Sequence, residues 1–407
     1  FQEGSIYTNA TISAGGQHTC AILDNGSVAC WGNGSSGQLG NGGTAEKHTP
    51  TLTNGFGIGR TAVSISAGSK HTCAILDNGL VSCWGENEEY GQLGNGGNTN
   101  KLVPTLTSSL GVDRIAIAIS TENTHTCVIL DNYSVSCWGG NYYGQLGDGT
   151  NVDKNTPTLV SSFGVGRTAA AISAGGGGTC AILDDGTVSC WGDGDDGQIG
   201  NGWQGTSDIL IPTPTSSFGT GRTAVAISSG SFFNCALLDN GAVSCWGNNY
   251  HGQLGDGTTV NKNTPTLITS FGAGRTVIAL SLEKLHGCAI LDNDSVSCWG
   301  NTDGWQNTTP SLVSSFGTER TVISLSSGWL HDCVILDNGS VSCWGNGGDG
   351  RLGNGGTSNQ HSSPILTSSL GAGRTVAVSE RDLDGDGVLN IFDSTPYPGL
   401  DVDGDGI

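Results

Sequence analysis

The chain has 407 residues, 36 acidic against 15 basic side chains for a formal net charge of −21, 69 glycines and 6% aromatic residues. This charge repels phosphate backbones and anionic lipid surfaces, which argues against nucleic acid as a partner. No apolar stretch approaches the roughly 18 residues that predict a membrane span, and the composition is typical of a turn-rich all-β protein.

A short apolar strand that ends in serine opens each of several repeated units. It reads AVSIS from Ala62, AIAIS from Ala116 and AVAIS from Ala224. Strands with apolar residues at nearly every position are buried on both faces, as in a sheet packed between two other sheets.

A cysteine hairpin follows the opening strand, and CAILDNGSVACWG at Cys20 recurs with small changes seven times. Asn-Gly between apolar runs predicts a hairpin turn. A turn with a glycine bulge pairs Leu23 with Ser27 and sets Cys20 opposite Cys30, whereas a two-residue turn leaves the cysteines diagonal. The cysteines of the seven copies are Cys20 and Cys30, Cys73 and Cys83, Cys127 and Cys137, Cys180 and Cys190, Cys235 and Cys245, Cys288 and Cys298, and Cys333 and Cys343.

If the cysteines face each other, seven disulfides result, each worth about 2–3 kcal/mol in the chain-entropy account. A metal site is the alternative, but it lacks the tight CxxC pairs of zinc sites. Disulfides, together with a chain that begins at Phe1 rather than Met, favour an extracellular protein, secreted or on the cell surface. Seven Asn-x-Ser/Thr sequons are candidate glycosylation sites: Asn9, Asn25, Asn33, Asn132, Asn293, Asn307 and Asn338.

The remainder of a unit is a Gly-rich loop such as GQLGNG at Gly37, a TPTL-type strand and an SSFGxGRT connection; the sixth unit is shorter, reads NTDGWQNTTP after Gly300 and lacks the Gly-Gln-Leu-Gly loop. The connection places seven of the nine arginines at one repeat position, so we interpret them as structural. A histidine two residues before the first cysteine recurs in five units, and we assign it a structural role as well. The acidic residue of each hairpin turn, such as Asp24, is expected to cap its own backbone.

Four strands in each of seven units predict an all-β, seven-bladed β-propeller of four-stranded blades. An open solenoid is the alternative, but it would need capping repeats, which are not evident. We assign residues 1–10 to a lead-in, 11–379 to the propeller and 380–407 to an acidic linker. The opening strand appears an eighth time as TVAVS at Thr375, where it would overlay the ring junction, lead into the tail or pair with a neighbouring subunit.

HTCAILDNGSVACWGNGSSGQLGNG, from His18, resembles the repeat of the regulator of chromosome condensation family, and the resemblance covers roughly Thr11 to Ser379. It implies a seven-bladed propeller. The paired cysteines depart from the nuclear member of the family and are similar to secreted bacterial relatives, so nucleotide exchange on a small GTPase is not the expected role.

The acidic tail begins a new pattern at DLDGDGVLNIFD, which places oxygen-bearing side chains at alternate positions, as a hard cation requires. It is similar to the calcium loops of thrombospondin type 3 repeats and dockerins. A second loop begins at DVDGDGI and stops before completion, which suggests a longer natural protein or a cleavage site. The expected Ca²⁺ ligands are Asp382, Asp384, Asp386, Asn390, Asp393, Asp401, Asp403 and Asp405.

No nucleophile motif stands out, and the GxGxxG matches lack a following helix, so we expect no enzyme and no catalytic residue. The expected function is a structural and interaction module that binds an extracellular protein or glycan through its loops, with self-assembly as a further option. A secreted inhibitor of an extracellular enzyme is the alternative. The candidate binding residues are loop aromatics that depart from the repeat: Tyr90, Tyr142, Tyr143, Trp203, Tyr250, Trp305 and Trp329.

Overall fold

A computed structural model describes residues 11–377, except 204, 206, 270, 303, 304, 318, 319, 359 and 360. It contains seven four-stranded antiparallel sheets, each built from four consecutive strands in chain order. The predicted seven-bladed propeller is therefore confirmed. A single short 3₁₀ turn at Gly348–Gly350 is the one helical element among the described residues.

The strands of the first four blades follow in chain order. Blade 1 contains β1 (Ile12–Ala14), β2 (His18–Ile22), β3 (Val28–Gly32) and β4 (Lys47–Leu52); blade 2 contains β5 (Ala62–Ala67), β6 (His71–Leu76), β7 (Val81–Gly85) and β8 (Lys101–Leu106); blade 3 contains β9 (Ala116–Glu122), β10 (His125–Leu130), β11 (Val135–Gly139) and β12 (Lys154–Leu159); blade 4 contains β13 (Ala169–Ala174), β14 (Gly178–Leu183), β15 (Val188–Gly192) and β16 (Ile209–Pro214).

The remaining three blades repeat this plan. Blade 5 contains β17 (Ala224–Ser229), β18 (Phe233–Leu238), β19 (Val243–Gly247) and β20 (Lys262–Leu267); blade 6 contains β21 (Val277–Glu283), β22 (His286–Leu291), β23 (Val296–Thr302) and β24 (Trp305–Leu312); blade 7 contains β25 (Val322–Ser327), β26 (His331–Leu336), β27 (Val341–Gly345) and β28 (His361–Leu366). The first strand of each blade contacts the first strands of both neighbours, so these seven strands surround the axis.

The hairpin between the second and third strands contains the glycine bulge. The N–H of Leu23 donates to the carbonyl of Ser27 over 2.8 Å, and Gly26 adopts a φ of 73°. Cys20 consequently pairs with Cys30, and the two form a disulfide. The other six cysteine pairs are bonded in the same way, so the predicted disulfides and turn type are both confirmed.

The hydrophobic core consists of layers between adjacent blades. The layer between blades 1 and 2 contains Ile22 and Leu39 from one side and Ala74 and Trp84 from the other. The indole Nε1 of Trp84 donates over 2.9 Å to the carbonyl of Gln38 in the preceding blade. Equivalent bonds join six of the seven blades to the preceding blade, and the other five tryptophans that donate them are Trp31, Trp138, Trp191, Trp246 and Trp299.

The ring closes within blade 1, whose innermost strand is made from both ends of the described chain. Val376 forms an antiparallel bridge with Leu23, directly after β2, while β1 pairs with β2 itself. The N–H of Asp24 donates to the carbonyl of Thr375, and the N–H of Ala377 donates to that of Ile22. The eighth opening strand therefore lies at the ring junction, the first of the three alternatives.

Candidate functional site

The antiparallel order gives the disc two different faces. The turns between first and second strands and the Gly-rich loops between third and fourth strands emerge on one side, which we call the loop face. The cysteine-hairpin turns and the SSFGxGRT connections emerge on the other side, which we call the turn face.

All the candidate aromatic residues lie in segments of the loop face. Tyr142, Tyr250 and Trp203 are the most exposed, with 73%, 66% and 51% of their surface accessible. Tyr143 packs edge-on against Tyr142, with ring centroids 4.9 Å apart. Tyr90 and Trp329 are half-buried, and Trp305 is the first residue of β24. The loop face also exposes Phe232 and Leu330, which the sequence analysis missed.

Buried asparagine side chains hold two of these loops in shape. The Nδ2 of Asn141 lies within 3.3 Å of the carbonyls of Thr150 and Val152 and of Oδ1 of Asp148, while its Oδ1 accepts the N–H of Leu146. Asn249 makes the same set of bonds in blade 5. The exposed tyrosines beside these asparagines therefore project from ordered loops.

An acidic segment lies on the loop face between blades 4 and 5. Burial raises the pKa of Asp193, and the nearby carboxylates of Asp195, Asp208 and Asp196 raise it further. Burial and Asp195 likewise raise the pKa of Asp208. Asp196 accepts from the amides of Asn248 and Asn261, at 2.7 and 2.9 Å, so it bridges the two blades.

The loop face has an acidic centre that the sequence analysis missed. Glu122 ends β9 in blade 3 and Glu283 ends β21 in blade 6, and their carboxyl groups form a hydrogen bond across the ring. Trp329 from blade 7 directs Nε1 to Oε1 of Glu122 at 3.5 Å. The Nζ of Lys284 lies 4.4 Å from the centroid of the Trp329 ring. We call Glu122, Glu283, Lys284 and Trp329 the axial mouth.

The recurring histidines connect neighbouring blades, as their predicted structural role requires. The Oγ1 of Thr72 donates to the carbonyl of Gln38 over 3.0 Å and so accepts from Nε2 of His18 at 2.7 Å. Burial and, to a smaller extent, the charge of Arg351 lower the pKa of His18 to about 3, so the ring is neutral. The same contact joins His71 to Thr126, His125 to Thr179 and His331 to Thr19.

Comparison with known proteins identifies the family. Residues 3–282 match the family model of the RCC1-like domain. The chain belongs to the RCC1-like domain family. This assignment covers more than half of the chain and agrees with the resemblance that the repeats carry.

Two curated relatives show how this RCC1-like propeller relates to longer proteins. It is 32% identical over 294 residues to the human E3 ubiquitin-protein ligase HERC2, covering 71% of this chain but 6% of that protein. It is 31% identical over 287 residues to the Arabidopsis thaliana ultraviolet-B receptor UVR8, covering 68% of this chain and 64% of the receptor. The chain thus spans less than two thirds of either relative.

Solved structures share the fold at low sequence identity. Yeast RCC1 (Prp20), solved bound to Kap60, superposes with a TM-score of 0.73 at 17% identity, covering 90% of this chain and 86% of that one. Human WBSCR16 superposes with a TM-score of 0.70 at 19% identity, covering 80% and 87%.

The turn face of the RCC1-like propeller contains a ring of surface ion pairs that account for the recurring arginines. Arg60 reaches Asp77 at 3.2 Å, and Arg374 reaches Asp24 at 3.0 Å across the ring junction. The expectation that these aspartates cap their own backbone is wrong for Asp24, because the next residue, Asn25, accepts the N–H of Ser27. The other pairs are Arg114–Asp131, Arg167–Asp184, Arg222–Asp239, Arg275–Asp292 and Arg320–Asp337.

Most sequons in the described part of the chain lie on the turn face. Asn25, Asn132, Asn293 and Asn338 are exposed in hairpin turns. Asn33 lies on the loop face with its Oδ1 bonded to Ser35, and Asn307 is exposed in β24. Asn9 and all eight expected calcium ligands, from Asp382 to Asp405, lie outside the described residues.

One group of potential metal ligands occurs within the described ranges: His286, Cys288 and Asp332. The sulfur of Cys288 is bonded to Cys298, so it offers no thiolate to a metal. His286 and Asp332 instead pair with each other at 2.9 Å. We interpret this group as a structural hydrogen-bonded pair beside a disulfide.

The described residues bring together no nucleophile, base and orienting group of the kind that hydrolases use. The cleft between blades 4 and 5 is lined by Gly178, Trp191 and Asn234, and it holds no catalytic pair. In the part of the chain that the structure covers, no helix is long and apolar enough to cross a membrane.

Proposed function

We propose that this RCC1-like propeller is a non-enzymatic interaction module that binds a partner protein through its loop face. The observation that carries the proposal is the set of exposed tyrosines on loops held by buried asparagines. Tyrosine supplies large contact area at low entropic cost, and rigid presentation lowers the cost of binding further. Among relatives, yeast RCC1 was solved in complex with another protein, Kap60.

The partner surface we expect is basic. The loop face combines aromatic rings with Asp193, Asp195, Asp196 and Asp208, and the whole chain carries a charge of −21. Complementary charge steers encounter and suppresses unsuitable partners. Exposed apolar residues also occur on the turn face, where Tyr133, Ile58, Val112 and Val165 are accessible, so the two faces need a direct comparison.

The test compares one variant of each face. Tyr142→Ala/Tyr143→Ala/Tyr250→Ala alters the loop face, and Ile58→Ser/Val112→Ser/Val165→Ser is the matched turn-face control. Each protein is mixed with the extracellular proteins and surface material of its source, cross-linked, and mapped by mass spectrometry. We expect partner cross-links near blades 3 and 5 to disappear with the loop-face variant alone. Equal loss with the turn-face variant contradicts the proposal, and inhibition of a co-secreted hydrolase would favour the inhibitor alternative.

We further propose that the module works outside the cell. Seven disulfides are typical of an oxidising compartment and would not persist in a reducing cytosol. Glycans at the turn-face sequons would leave the loop face free for a partner. Peptide mapping of the native protein for glycan on Asn25 and Asn338 tests this arrangement, and free thiols in freshly isolated protein contradict it.

For the tail we propose a structural Ca²⁺ site, supported by the alternate spacing of Asp382, Asp384 and Asp386 before Gly387. Calorimetric titration of the full chain with Ca²⁺ should give a binding isotherm that Asp384→Asn/Asp386→Asn removes. The matched control, Asp195→Asn/Asp196→Asn, changes an acidic cluster of the propeller and should leave the isotherm in place. An unchanged isotherm in the tail variant contradicts the proposal.

A further inference from the structure

The axial mouth breaks the sevenfold repeat at one position. Five blades have a glycine after the opening strand, and there is no room for a side chain: a Cβ on Gly68 would lie 2.6 Å from Cε1 of His71. In blades 3 and 6 the opening strand extends one residue further, so Glu122 pairs with His125 and Glu283 with His286 across a two-residue turn. The five glycines are Gly15, Gly68, Gly175, Gly230 and Gly328.

The two glutamates connect blades that are not neighbours. Blades 3 and 6 lie three positions apart in a ring of seven, so a bond between them spans the axis. Glu122 and Glu283 are 2% and 6% exposed. The histidine contacts, such as His18 with Thr72, join adjacent blades. The bond between the glutamates, together with that from Trp329 of blade 7 to Glu122, instead forms a brace across the opening.

The hydrogen bonds indicate which carboxyl group carries a proton. Apart from the bond that they share, Glu122 accepts from Trp329 and from the backbone N–H of Asn123, whereas Glu283 accepts from the backbone N–H of Lys284. Glu122 thus has one more donor than Glu283, which favours Glu283 as the donor of the shared bond and therefore as the neutral acid. Two ionised carboxylates in contact and away from water would repel each other strongly.

The charges at the mouth balance with one proton bound. Two carboxyl groups sharing one proton have a net charge of −1, and the ammonium of Lys284 supplies the compensating positive charge beside Trp329. The charge of Lys284 lowers the pKa of both carboxyl groups. Loss of the proton leaves a second, uncompensated negative charge in a buried position.

We propose that Glu122 and Glu283 form a proton-held brace that closes the axial mouth of the loop face and opens when Glu283 ionises. Opening separates the hairpins at Asn123–Thr124 and Lys284–Leu285 and frees Trp329 from Glu122. The brace is independent of the partner proposed above.

Burial raises the pKa of Glu283, and the Glu122 carboxylate raises it further, so it lies well above the ordinary value of 4.5. Burial also raises the pKa of Glu122. A raised folded-state pKa contributes stability that is complete below the unfolded value and is lost as pH rises through the folded value. The brace therefore weakens on the alkaline side.

The direct test follows the carboxyl carbons of the nine glutamates by NMR on the full chain labelled at Glu Cδ. We expect one signal to keep the chemical shift of the neutral acid well above pH 4.5 and to ionise in step with a change in Trp329 fluorescence, with Trp329→Phe assigning that change. The proposal fails if every glutamate ionises near its ordinary value, or if the late ionisation leaves Trp329 unchanged.

Glu283→Gln is the diagnostic variant, because its amide still donates to Glu122 but cannot ionise. Hydrogen exchange at Asn123 and Lys284, corrected by the equivalent turn at Ser69 in blade 2, should rise at least tenfold with alkaline pH in the wild type. It should stay flat in Glu283→Gln. Equal pH dependence in both proteins overturns the proposal, and the NMR titration of the wild type decides the matter if the variant does not fold.

Discussion

The imidazole of His286 and the carboxyl group of Asp332 form a buried hydrogen bond between blades 6 and 7, with Nε2 2.9 Å from Oδ1. In other blades the equivalent partner is a threonine whose hydroxyl donates to the carbonyl of the preceding Gly-rich loop, as Thr72 donates to Gln38. Blade 6 has no such loop. Aspartate needs no acceptor for a hydroxyl proton, which explains why it replaces threonine where that acceptor is missing.

We predict that Asp332→Ala destabilises the propeller by about 3 kcal/mol, because it leaves the buried Nε2 of His286 without its hydrogen-bond partner. Asp332→Asn keeps an oxygen for the His286 N–H and should cost less. Thr72→Ala, at the same repeat position in blade 2, should cost about 1–3 kcal/mol. Urea denaturation measures all three, and a smaller loss for Asp332→Ala than for Thr72→Ala would show that the pair is dispensable.

Stability should fall with acid below about pH 6.5. Burial lowers the pKa of His18 and of His71 to about 3 and that of His125 to about 4, and it also lowers that of His331. Depressed folded values give stability that is present above the unfolded pKa and lost as pH falls towards the folded values. Each histidine then costs roughly 1.4 kcal/mol per pH unit.

The protein itself contains a junction between blades in which other residues replace the histidine and threonine, and this junction supplies a variant to test the histidine prediction. Blade 5 has Phe233 at the histidine position, and blade 6 has Gly287 at the following threonine position. His71→Phe/Thr126→Gly copies this pair and should fold with a shallower dependence on pH between 4 and 6.5. An unchanged pH profile from urea midpoints would exclude His71 as a contributor.

Gly94→Ala should destabilise the protein more than Gly59→Ala. Both glycines have a left-handed backbone, with φ of 64° and 70°, so alanine meets similar backbone strain of about 1–2 kcal/mol. At Gly94 the new Cβ would also lie 2.6 Å from Nε1 of Trp138, whereas Gly59 has no atom within 4 Å. We expect an additional loss of about 1–3 kcal/mol from overpacking, measured as a lower urea midpoint.

The seven disulfides can be tested by counting reactive thiols before and after reduction. Denatured but unreduced protein should take up no alkylating reagent, and reduction should expose the 14 cysteines. Cys127→Ala/Cys137→Ala should cost about 2–3 kcal/mol while leaving the other hairpins bonded. Intact mass spectrometry reads the thiols, and any adduct before reduction would contradict the bonding pattern.

Val376→Asp should open the ring. Val376 is 1% exposed beside Leu23, and a buried, unpaired carboxylate there would cost several kcal/mol. Val165→Asp is the control, because Val165 is fully exposed in the turn-face connection between β12 and β13. Limited proteolysis should cut the first variant within blade 1 or blade 7 and spare the control; equal sensitivity would argue against closure at this point.

Sequence reasoning predicted the features that each repeat contains within itself. The turn Asp24–Gly26 determines the pairing of Cys20 with Cys30, and the turn and the cysteine pair lie within one short segment of the chain. The position of Val376 remained one of three alternatives, because its partner lies 353 residues earlier.

The axial mouth was missed for a geometric reason. Glu122 and Glu283 lie in different units, and only the closed ring brings them together. A signal was present nonetheless: glutamate replaces the repeat glycine in units 3 and 6 alone. Comparing each repeat position across all seven units would have identified both.

Blade 1 contains residues from both ends of the described chain, and this determines the order in which the propeller can fold. During synthesis, β1 and β2 leave the ribosome first but wait for Thr375–Ala377 before their sheet has its full inner edge. Contacts across so long a loop are slow to form and leave an unpaired edge in the meantime. The disulfide of each hairpin can form earlier, because its cysteines are 10 residues apart. Each disulfide would therefore stabilise its own hairpin before the ring closes.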